Sequence, residues 1–152
     1  MLYRVDFSLE PWRWVFPIIY KRIESFAVEF DNSIAQVQAR MAALVTGQPD
    51  ICLLVQADEG DISRITGHCL LLIQPYDSDT HVVLAEQIKV DSGHDSDFVE
   101  SCIKYVETQL APVLHITKII MTAQERVYRA YRKKYGFKPY RVIMTYDLGQ
   151  EE

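Results

Sequence analysis

A single carboxylate, Glu86, is the residue best suited to proton transfer in the middle of the chain. It lies in the apolar segment 81–90, HVVLAEQIKV, which has the composition of a β-strand. Side chains alternate along a strand, so Glu86 is predicted to share a face with Ile88 and Val90. A carboxylate there could take a proton from an amine, directly or through water. A glutamate on a sheet is also commonly solvated or paired with a cation, and the sequence leaves both interpretations open.

A basic, tyrosine-rich segment near the C-terminus is the second candidate for chemistry. Residues 130–148 read AYRKKYGFKPYRVIMTYDL, and Arg126, Arg129 and Lys133 follow helical spacing, so they share one helix face. That face could bind an acidic protein, a nucleic acid or a phosphate. A solvated helix end, whose cations oppose the helix dipole, explains the same pattern. No aromatic platform interleaves with the basic residues, which argues against specific nucleic-acid recognition.

Several common catalytic and binding motifs are missing from the sequence. His68, His81, His94 and His115 are scattered without the spacing of zinc ligands. There is no Walker loop, no G-x-S-x-G segment and no dinucleotide-type glycine fingerprint.

The elements that would position these residues follow from hydrophobic periodicity. Helical spacing predicts helices at 11–30, 34–45, 96–111 and 125–135; Pro17 should kink or restart the first, and Pro112 should end the third. Strand-like runs occupy 2–8, 51–57, 66–76, 81–90, 115–123 and 140–148. The three central runs are joined by short polar turns and predict an antiparallel meander. The order is β-α-α-β-β-β-α-β-α-β, a mixed sheet with helices packed on it.

Length and composition predict a single domain over residues 1–152. Hydrophobic residues make up 49% and charged residues 24%, which excludes wholesale disorder. No segment approaches the roughly 20 apolar residues of a membrane span, and the first residues lack the pattern of a signal peptide. Cys52, Cys69 and Cys102 are expected to be buried free thiols in a reducing compartment, so we expect a cytoplasmic protein. The net charge of −5 argues weakly against a nucleic-acid partner.

The element order and the segment YRKKYGFK, residues 131–138, together resemble the GNAT superfamily of N-acetyltransferases. In that family a helix ends in a Tyr-x-x-x-Gly-Phe-type segment before the final strands. The resemblance implies an α/β (α+β) fold with a mixed, mostly antiparallel central sheet and helices on both faces. Gly136 also suits a helix end by itself, because glycine adopts the left-handed conformation without a Cβ penalty. Phe137 would then fold back over the preceding turn.

The resemblance implies acetyl-CoA as the cofactor, bound where the fourth strand ends. A splayed strand would offer backbone groups to the pantetheine, and amides at the next helix start would receive the pyrophosphate. The cofactor-binding residues implied in this way are Ile88, Val90, Ser92, Gly93, His94 and Ser96. The turn departs from the family pattern Arg/Gln-x-x-Gly-x-Gly/Ala, because residues 90–97 read VDSGHDSD and keep only Gly93 of it.

The three aspartates of this turn oppose an anionic ligand. A helix N-terminus contributes about 0.3–1 kcal/mol toward an anion. A carboxylate about 6 Å from a phosphate charge repels it by roughly 3 kcal/mol at an effective dielectric near 20, before salt screening. One misplaced aspartate therefore outweighs the helix dipole. Asp95 or Ser96 could also cap the helix and engage the same N–H groups. Aspartates that point to solvent would leave the site intact.

A second departure from the family concerns the general acid. The family's tyrosine falls at position 132, four residues before Gly136, where this chain has Arg132. Tyr131 is one residue away, about 100° around the helix axis, and could donate a proton to the leaving thiolate if the register were shifted. Tyr128, Tyr131 and Tyr135 also have the spacing of an amphipathic packing face.

The resemblance thus implies an acyltransferase that moves an acetyl group from acetyl-CoA to a small-molecule or protein amine, with Glu86 as base and Tyr131 as acid. The amine would enter between the N-terminal helices and the central strands, and acetyl-CoA from the opposite side of the sheet. The alternative is a non-catalytic binding or assembly protein of the same fold, as in some phage-encoded members, that has lost the cofactor site. A membrane partner is not expected, nucleic acid is disfavoured, and a homodimer is left open.

Overall fold

The computed structural model describes residues 1–30, 32–93, 97–122, 125–140, 146 and 148. The chain divides into two compact units, Met1–Thr122 and Ala123–Glu152. This division does not test the single-domain expectation, which stays a prediction. The strands of the first unit are β1 (Leu2–Arg4), β2 (Ile51–Asp58), β3 (Asp61–Pro75), β4 (His81–Val90) and β5 (Ile116–Met121). Its helices are α1 (Glu10–Trp14), α2 (Phe16–Glu29), α3 (Ile34–Val45), α4 (Phe98–Tyr105), a π-helical segment (Val106–Leu110) and α5 (Ala111–Leu114).

The five strands form one sheet in the order β1-β2-β3-β4-β5. The pairs β1–β2, β2–β3 and β3–β4 are antiparallel, and β4–β5 is parallel. The predicted antiparallel meander and the mixed, mostly antiparallel sheet are therefore confirmed. The parallel pair follows from the crossover through α4 and α5, because parallel neighbours need a long connection.

Helices cover both faces of this sheet, as predicted. Consecutive residues of the central strands alternate between two apolar cores, since side chains alternate along a strand. Leu53 packs with Ile23 and Met41 in the core beneath α1, α2 and α3. Leu54 packs with Phe98 and other residues of α4 in the core on the opposite face. The near-continuous apolar runs of β2 and β3 therefore supply apolar side chains to both faces of the sheet.

The three cysteines lie inside the second core as free thiols, which confirms the prediction of buried, unpaired cysteines. Burial raises the pKa of the Cys52 thiol to about 11. A thiol of this kind stays protonated near neutral pH and is a poor nucleophile. Cys52, Cys69 and Cys102 therefore act as small apolar side chains.

Pro17 and Pro112 both lie in the first turn of a helix, although Pro112 was expected to end one. The predicted helix 11–30 divides into α1 and α2, with Pro17 in the first turn of α2, so the predicted restart is confirmed. The prediction that Pro112 ends the next helix is wrong. Pro112 lies in the first turn of α5, which follows the π-helical segment directly, and the helical backbone continues past it to Leu114. The helix instead ends at His115, which adopts the left-handed conformation with φ 53°.

The second unit contains helix α6 (Glu125–Tyr135), as predicted. Gly136 follows it with φ 77°, and its N–H donates to the carbonyl of Arg132 at 3.2 Å. This is a left-handed helix end of the kind that glycine favours. The Phe137 ring lies 5.7 Å from the Tyr131 ring, so Phe137 does fold back over the preceding turn. The predicted strand 140–148 falls almost wholly outside the described residues.

Across the described ranges, every helix is too short or too polar to cross a membrane.

Candidate functional site

The candidate site begins at an irregularity in β4. Leu70 of β3 pairs with Gln87, and Leu71 pairs with Ala85, so Glu86 is an extra residue in β4. A β-bulge of this kind re-aims side chains and interrupts their alternation. Glu86 contacts α3, whereas Ile88 and Val90 pack against the core on the α4 side. The prediction that Glu86 shares a face with Ile88 and Val90 is therefore wrong, because the bulge shifts the alternation by one residue.

The Glu86 carboxylate is held by two side chains of α3. It accepts hydrogen bonds from the Gln36 amide and from the Arg40 Nε, the latter at 2.7 Å. Gln36 and Arg40 lie four residues apart and so project from the same side of α3. The Glu86 side chain is only 14% exposed. The salt-bridged interpretation of Glu86 is thus realised, and the carboxylate faces the side of the sheet that α1, α2 and α3 cover.

Beyond the bulge, no described residue of β5 pairs with β4, and we call the β4 edge over residues 86–90 the open edge. The described parallel ladder runs from His81–Ile116 to Ala85–Met121, whereas β4 continues its pairing with β3 as far as Val90. The peptide groups of residues 86–90 therefore extend past the last described β5 pair. An unpaired strand edge offers N–H and C=O groups to a ligand.

The turn after β4 leads from this open edge to the start of α4. The Asp91 N–H donates to the Thr66 carbonyl at 2.8 Å, which prolongs the β3–β4 ladder by one bond. Ser92 follows in the turn, and Gly93 has φ 78°, a conformation that suits glycine. Phe98 begins α4. His94 and Ser96, both predicted to bind the cofactor, lie outside the described residues, as does Asp95.

Close packing at Gly67 sets the position of the α4 start against the sheet. Gly67 of β3 pairs with Val90, and the Phe98 ring lies over it. A Cβ at position 67 would lie 3.3 Å from both the Lys89 carbonyl oxygen and the Phe98 ring. Phe98 itself is 1% exposed. Strand periodicity does not reveal this contact; the signal for it in the sequence is an isolated glycine inside a strand pattern.

A buried polar network lies beneath the same turn. The Arg22 guanidinium of α2 donates to both oxygens of the Asp91 carboxylate, at 2.8 and 3.1 Å. Its Nε donates to the His68 Nδ1 at 2.8 Å. The other ring nitrogen of His68 lies 2.9 Å from the Gln87 Oε1, and the Gln87 amide donates to the Ile23 carbonyl at 3.3 Å. The network thus joins α2, β3, β4 and the turn.

Burial decides the protonation of this network. His68 is 1% exposed and Gln87 is 4% exposed. Desolvation lowers the pKa of His68 to about 4, because burial disfavours the charged imidazolium. The ring is therefore neutral at pH 7, with Nδ1 accepting from Arg22 and Nε2–H donating to Gln87. The sequence held one signal for this network: Arg22 lies on the apolar stripe of α2, three residues after Ile19 and four before Phe26.

Comparison with known proteins identifies solved structures that have a similar architecture. No protein-family model matches the sequence, and no curated protein matches it either. Among solved structures, a probable acetyltransferase superposes with a TM-score of 0.68 at 11% identity, covering 100% of this chain and 99% of its own. An aminoglycoside acetyltransferase from an uncultured soil metagenomic sample gives 0.66 at 16% identity, covering 97% and 95%. The chain has the GNAT fold.

A third neighbour supports the same conclusion about the GNAT fold. Glucosamine-6-phosphate N-acetyltransferase from Arabidopsis thaliana superposes with a TM-score of 0.62 at 12% identity, covering 97% of this chain and 99% of its own. Identities this low show a shared fold and leave the residues of the site to be judged individually.

Tyr131, the predicted acid, lies in the second unit of this GNAT fold. Its ring packs edge-to-face against Tyr135, with the ring centroids 5.2 Å apart, and in a tilted arrangement against Phe137, with the centroids 5.7 Å apart. The packing interpretation of the tyrosines therefore holds for Tyr131 and Tyr135. Arg132, which takes the position of the family's tyrosine, is exposed in the last turn of α6 together with Lys133 and Lys134. Cations in that turn oppose the partial negative charge of the helix C-terminus.

The described residues contain no cluster of candidate metal ligands. Among those residues, no group of three or more histidine, cysteine, aspartate or glutamate side chains is arranged to hold a metal ion. The three cysteines lie within an apolar core. The candidate groups of the site are Glu86, the open edge of β4 and the turn that follows it.

Proposed function

We propose that this protein is an N-acyltransferase that moves an acetyl group from acetyl-CoA to an amine. The observation that carries the proposal is the open edge of β4 beyond Ala85–Met121, bounded by the bulge at Glu86 and by the turn before α4. The GNAT fold adds support, because its neighbours include proteins named for acetyl transfer to aminoglycosides and to glucosamine-6-phosphate. Both of these named acceptors are amines.

The residues at the end of β4 fit the proposed cofactor. Backbone groups of Ile88 and Val90 would bind the pantetheine along the open edge. Ser92, Gly93, His94 and Ser96 would hold the pyrophosphate, and the left-handed Gly93 supports this assignment because such turns can aim successive N–H groups at an anion. The bound cofactor would supply a thioester carbonyl to the acceptor amine.

Glu86 is the proposed base, on the acceptor side of the sheet. Its carboxylate faces α3, whereas Ile88 and Val90 pack on the α4 side, so base and cofactor would approach the strand from opposite faces. Gln36 and Arg40 orient the carboxylate through their hydrogen bonds to it. Glu86 would take the amine proton through water, and positioning of the two reactants would supply most of the rate enhancement.

Tyr131 is the proposed proton donor to the leaving thiolate, at the position next to the family's tyrosine. Its ring is fixed by Tyr135 and Phe137, and a fixed ring is a prerequisite for a positioned acid. A Tyr131→Phe variant should lower kcat by about tenfold or more while leaving acetyl-CoA binding unchanged. Full turnover in that variant would remove Tyr131 from the mechanism.

Titration calorimetry with acetyl-CoA, followed by thiol-release assays with a panel of amines, tests the proposal. We expect binding in the micromolar to millimolar range and transfer to at least one amine. Glu86→Gln should reduce kcat by about 100-fold, because it removes the base and keeps the shape. Glu59→Gln, in the exposed turn between β2 and β3, is the matched control. Absence of heat at millimolar acetyl-CoA would contradict the proposal.

A non-catalytic binding protein of the same fold is the second candidate. The observation in its favour is that the Glu86 carboxylate already accepts hydrogen bonds from two α3 side chains. Arg132, in place of the family's tyrosine, points the same way. The two candidates differ in one measurement: a protein that has lost the cofactor site would give no heat with millimolar acetyl-CoA and would release no thiol with any amine, whereas the acyltransferase would do both.

A further inference from the structure

We propose that Arg22 is a positioning residue that neutralises Asp91 and so allows the turn after β4 to accept the pyrophosphate of acetyl-CoA. This inference rests on the proposed function. It concerns Asp91, one of the three aspartates whose negative charges would repel an anion at the turn. The structure pairs that aspartate with a cation from a different element, α2, which the sequence did not connect to the turn.

The Arg22 guanidinium and the Asp91 carboxylate form a bidentate pair. Arg22 Nη2 lies 2.8 Å from Asp91 Oδ1, and Nη1 lies 3.1 Å from Asp91 Oδ2. Nη1 also donates to the Ile65 carbonyl at 3.4 Å. The Arg22 side chain is 16% exposed and Asp91 is 39% exposed. A bidentate pair with one largely buried partner fixes both position and charge, whereas exposed pairs do so weakly.

His68 and Gln87 hold the guanidinium in this orientation. The His68 Nδ1 accepts from Arg22 Nε, and this requires the neutral ring, which burial favours. Gln87 then links the far side of the ring back to the carbonyl of Ile23, the residue next to Arg22. The hydrogen bonds therefore form a closed circuit that begins and ends on the same turn of α2. A guanidinium fixed in this way cannot leave Asp91 without breaking the buried circuit.

The consequence for an anion at the turn is electrostatic. An uncompensated carboxylate a few ångströms from a phosphate weakens binding by about tenfold to 100-fold after salt screening. With Arg22 paired to it, Asp91 presents no net charge to the ligand. The bulge at Glu86 contributes to this arrangement, because it places Gln87 on the α2 side of β4, where it can reach His68.

Titration calorimetry of acetyl-CoA binding to matched variants tests the inference. Arg22→Met should weaken acetyl-CoA binding by about tenfold or more at low salt, and 0.5 M NaCl should shrink this loss. Arg22→Met/Asp91→Asn should recover most of the wild-type affinity. Asp91→Asn alone should bind acetyl-CoA several-fold more tightly than wild type, since it leaves Arg22 as an unpaired cation. Arg64→Met, which removes an arginine that is 73% exposed, is the control and should change little.

The outcomes separate this inference from the proposed function. If the wild-type protein does not bind acetyl-CoA, both fail. If the wild type binds and Arg22→Met behaves like Arg64→Met, only the positioning role of Arg22 fails. A loss that is insensitive to salt, or that the second substitution does not restore, indicates a purely structural role and also overturns it. Should Arg22→Met fail to fold, Asp91→Asn decides, because unchanged or weaker binding in that variant contradicts the charge argument.

Discussion

The two sides of β4 are built from different interactions. On the α4 side, Ile88 and Val90 pack against an apolar core that includes Phe98. On the side of α2 and α3, Glu86 accepts hydrogen bonds from Gln36 and Arg40. Gln87 is bonded to the His68 ring and donates to the Ile23 carbonyl. The apolar side can tolerate small shifts, because dispersion is not directional. The polar side cannot, because each buried donor and acceptor needs its own partner.

The bulge at Glu86 is what divides the strand in this way. Without the extra residue, Glu86, Ile88 and Val90 would share one face, and a carboxylate would enter an apolar core at a cost of several kcal/mol. With it, two consecutive polar residues face α2 and α3, and the apolar residues face α4. One inserted residue therefore decides which side of the sheet carries charge.

Removing the main apolar anchor should give the largest effect on stability. Phe98→Ala should lower the free energy of unfolding by about 3–5 kcal/mol, because Phe98 is 1% exposed and packs on Gly67. Urea unfolding measures the change. Val113→Ala in α5, at a valine that is 74% exposed, is the control and should stay within about 0.5 kcal/mol of wild type. A Phe98 variant as stable as that control would contradict the account of the apolar side.

Acid should weaken the polar side selectively. The folded state lowers the pKa of His68 from 6.5 to about 4, so the unfolded chain binds more protons between these values. Stability is therefore complete above about pH 6.5 and falls as the pH approaches 4, by about 3 kcal/mol at 1.36 kcal/mol per pKa unit. Chemical denaturation across this range measures the loss.

A His68→Gln variant is the reference for this acid effect, and its stability should change less between pH 6.5 and 4. The carboxyl groups of Asp6, Asp61 and Asp77 have lowered pKa values because nearby N–H and hydroxyl groups donate to them. Their stabilisation is lost below their ordinary pKa of 3.8, outside the window assigned to His68. Equal pH profiles for variant and wild type would remove His68 as the cause.

Leaving the buried circuit incomplete should have an intermediate effect. Gln87→Leu deprives the buried His68 Nε2–H of its acceptor and removes the side-chain hydrogen bond to the Ile23 carbonyl, and an unsatisfied buried group costs about 1–3 kcal/mol. We expect a loss of about 2 kcal/mol in urea unfolding. Gln74→Leu, on an exposed residue of β3, provides the matched comparison. If both variants unfold at the same urea concentration, directional bonding is not what holds the polar side.

The smallest expected effect is at the end of α6, outside β4, where the backbone conformation of one glycine should set the helix end. Gly136→Ala should destabilise the end of α6 by about 1–2 kcal/mol, since Gly136 has φ 77°. Hydrogen exchange of the amides in the last turn of α6 measures the change. Gly60→Ala, at a glycine without positive φ and with open space around its Cα, should leave exchange unaltered. Unaltered exchange in Gly136→Ala would mean that this helix end is not set by glycine.

Much of the fold was predictable because it follows from short-range patterns. The apolar runs at 51–57, 66–76 and 81–90 predicted three adjacent strands, and the short turns between them favoured antiparallel pairing. The structure starts the second of these strands earlier, at Asp61. The spacing of Ile19, Ile23 and Phe26 specified the buried stripe of α2 in the same way. The helix end at Gly136 needed only the identity of one residue.

The candidate site was less predictable, because its residues are far apart in the chain. The bulge at Glu86 reflects how β3 and β4 align, and no periodicity within β4 reveals an extra residue. The Arg22–Asp91 pair joins residues 69 positions apart. The position of Pro112 was unpredictable for a related reason: whether a proline ends a helix or lies inside one depends on the hydrogen bonds around it.

Strand and helix identities, the two apolar faces and the glycine helix end are properties of neighbouring residues, so they could be read directly from the order of amino acids. The side of the sheet on which Glu86 lies, and the charge that Asp91 presents, came from contacts between distant elements. A carboxylate is repulsive or harmless to a phosphate according to what stands within about 3 Å of it. That neighbour, Arg22, becomes apparent only when α2 packs across the end of β4.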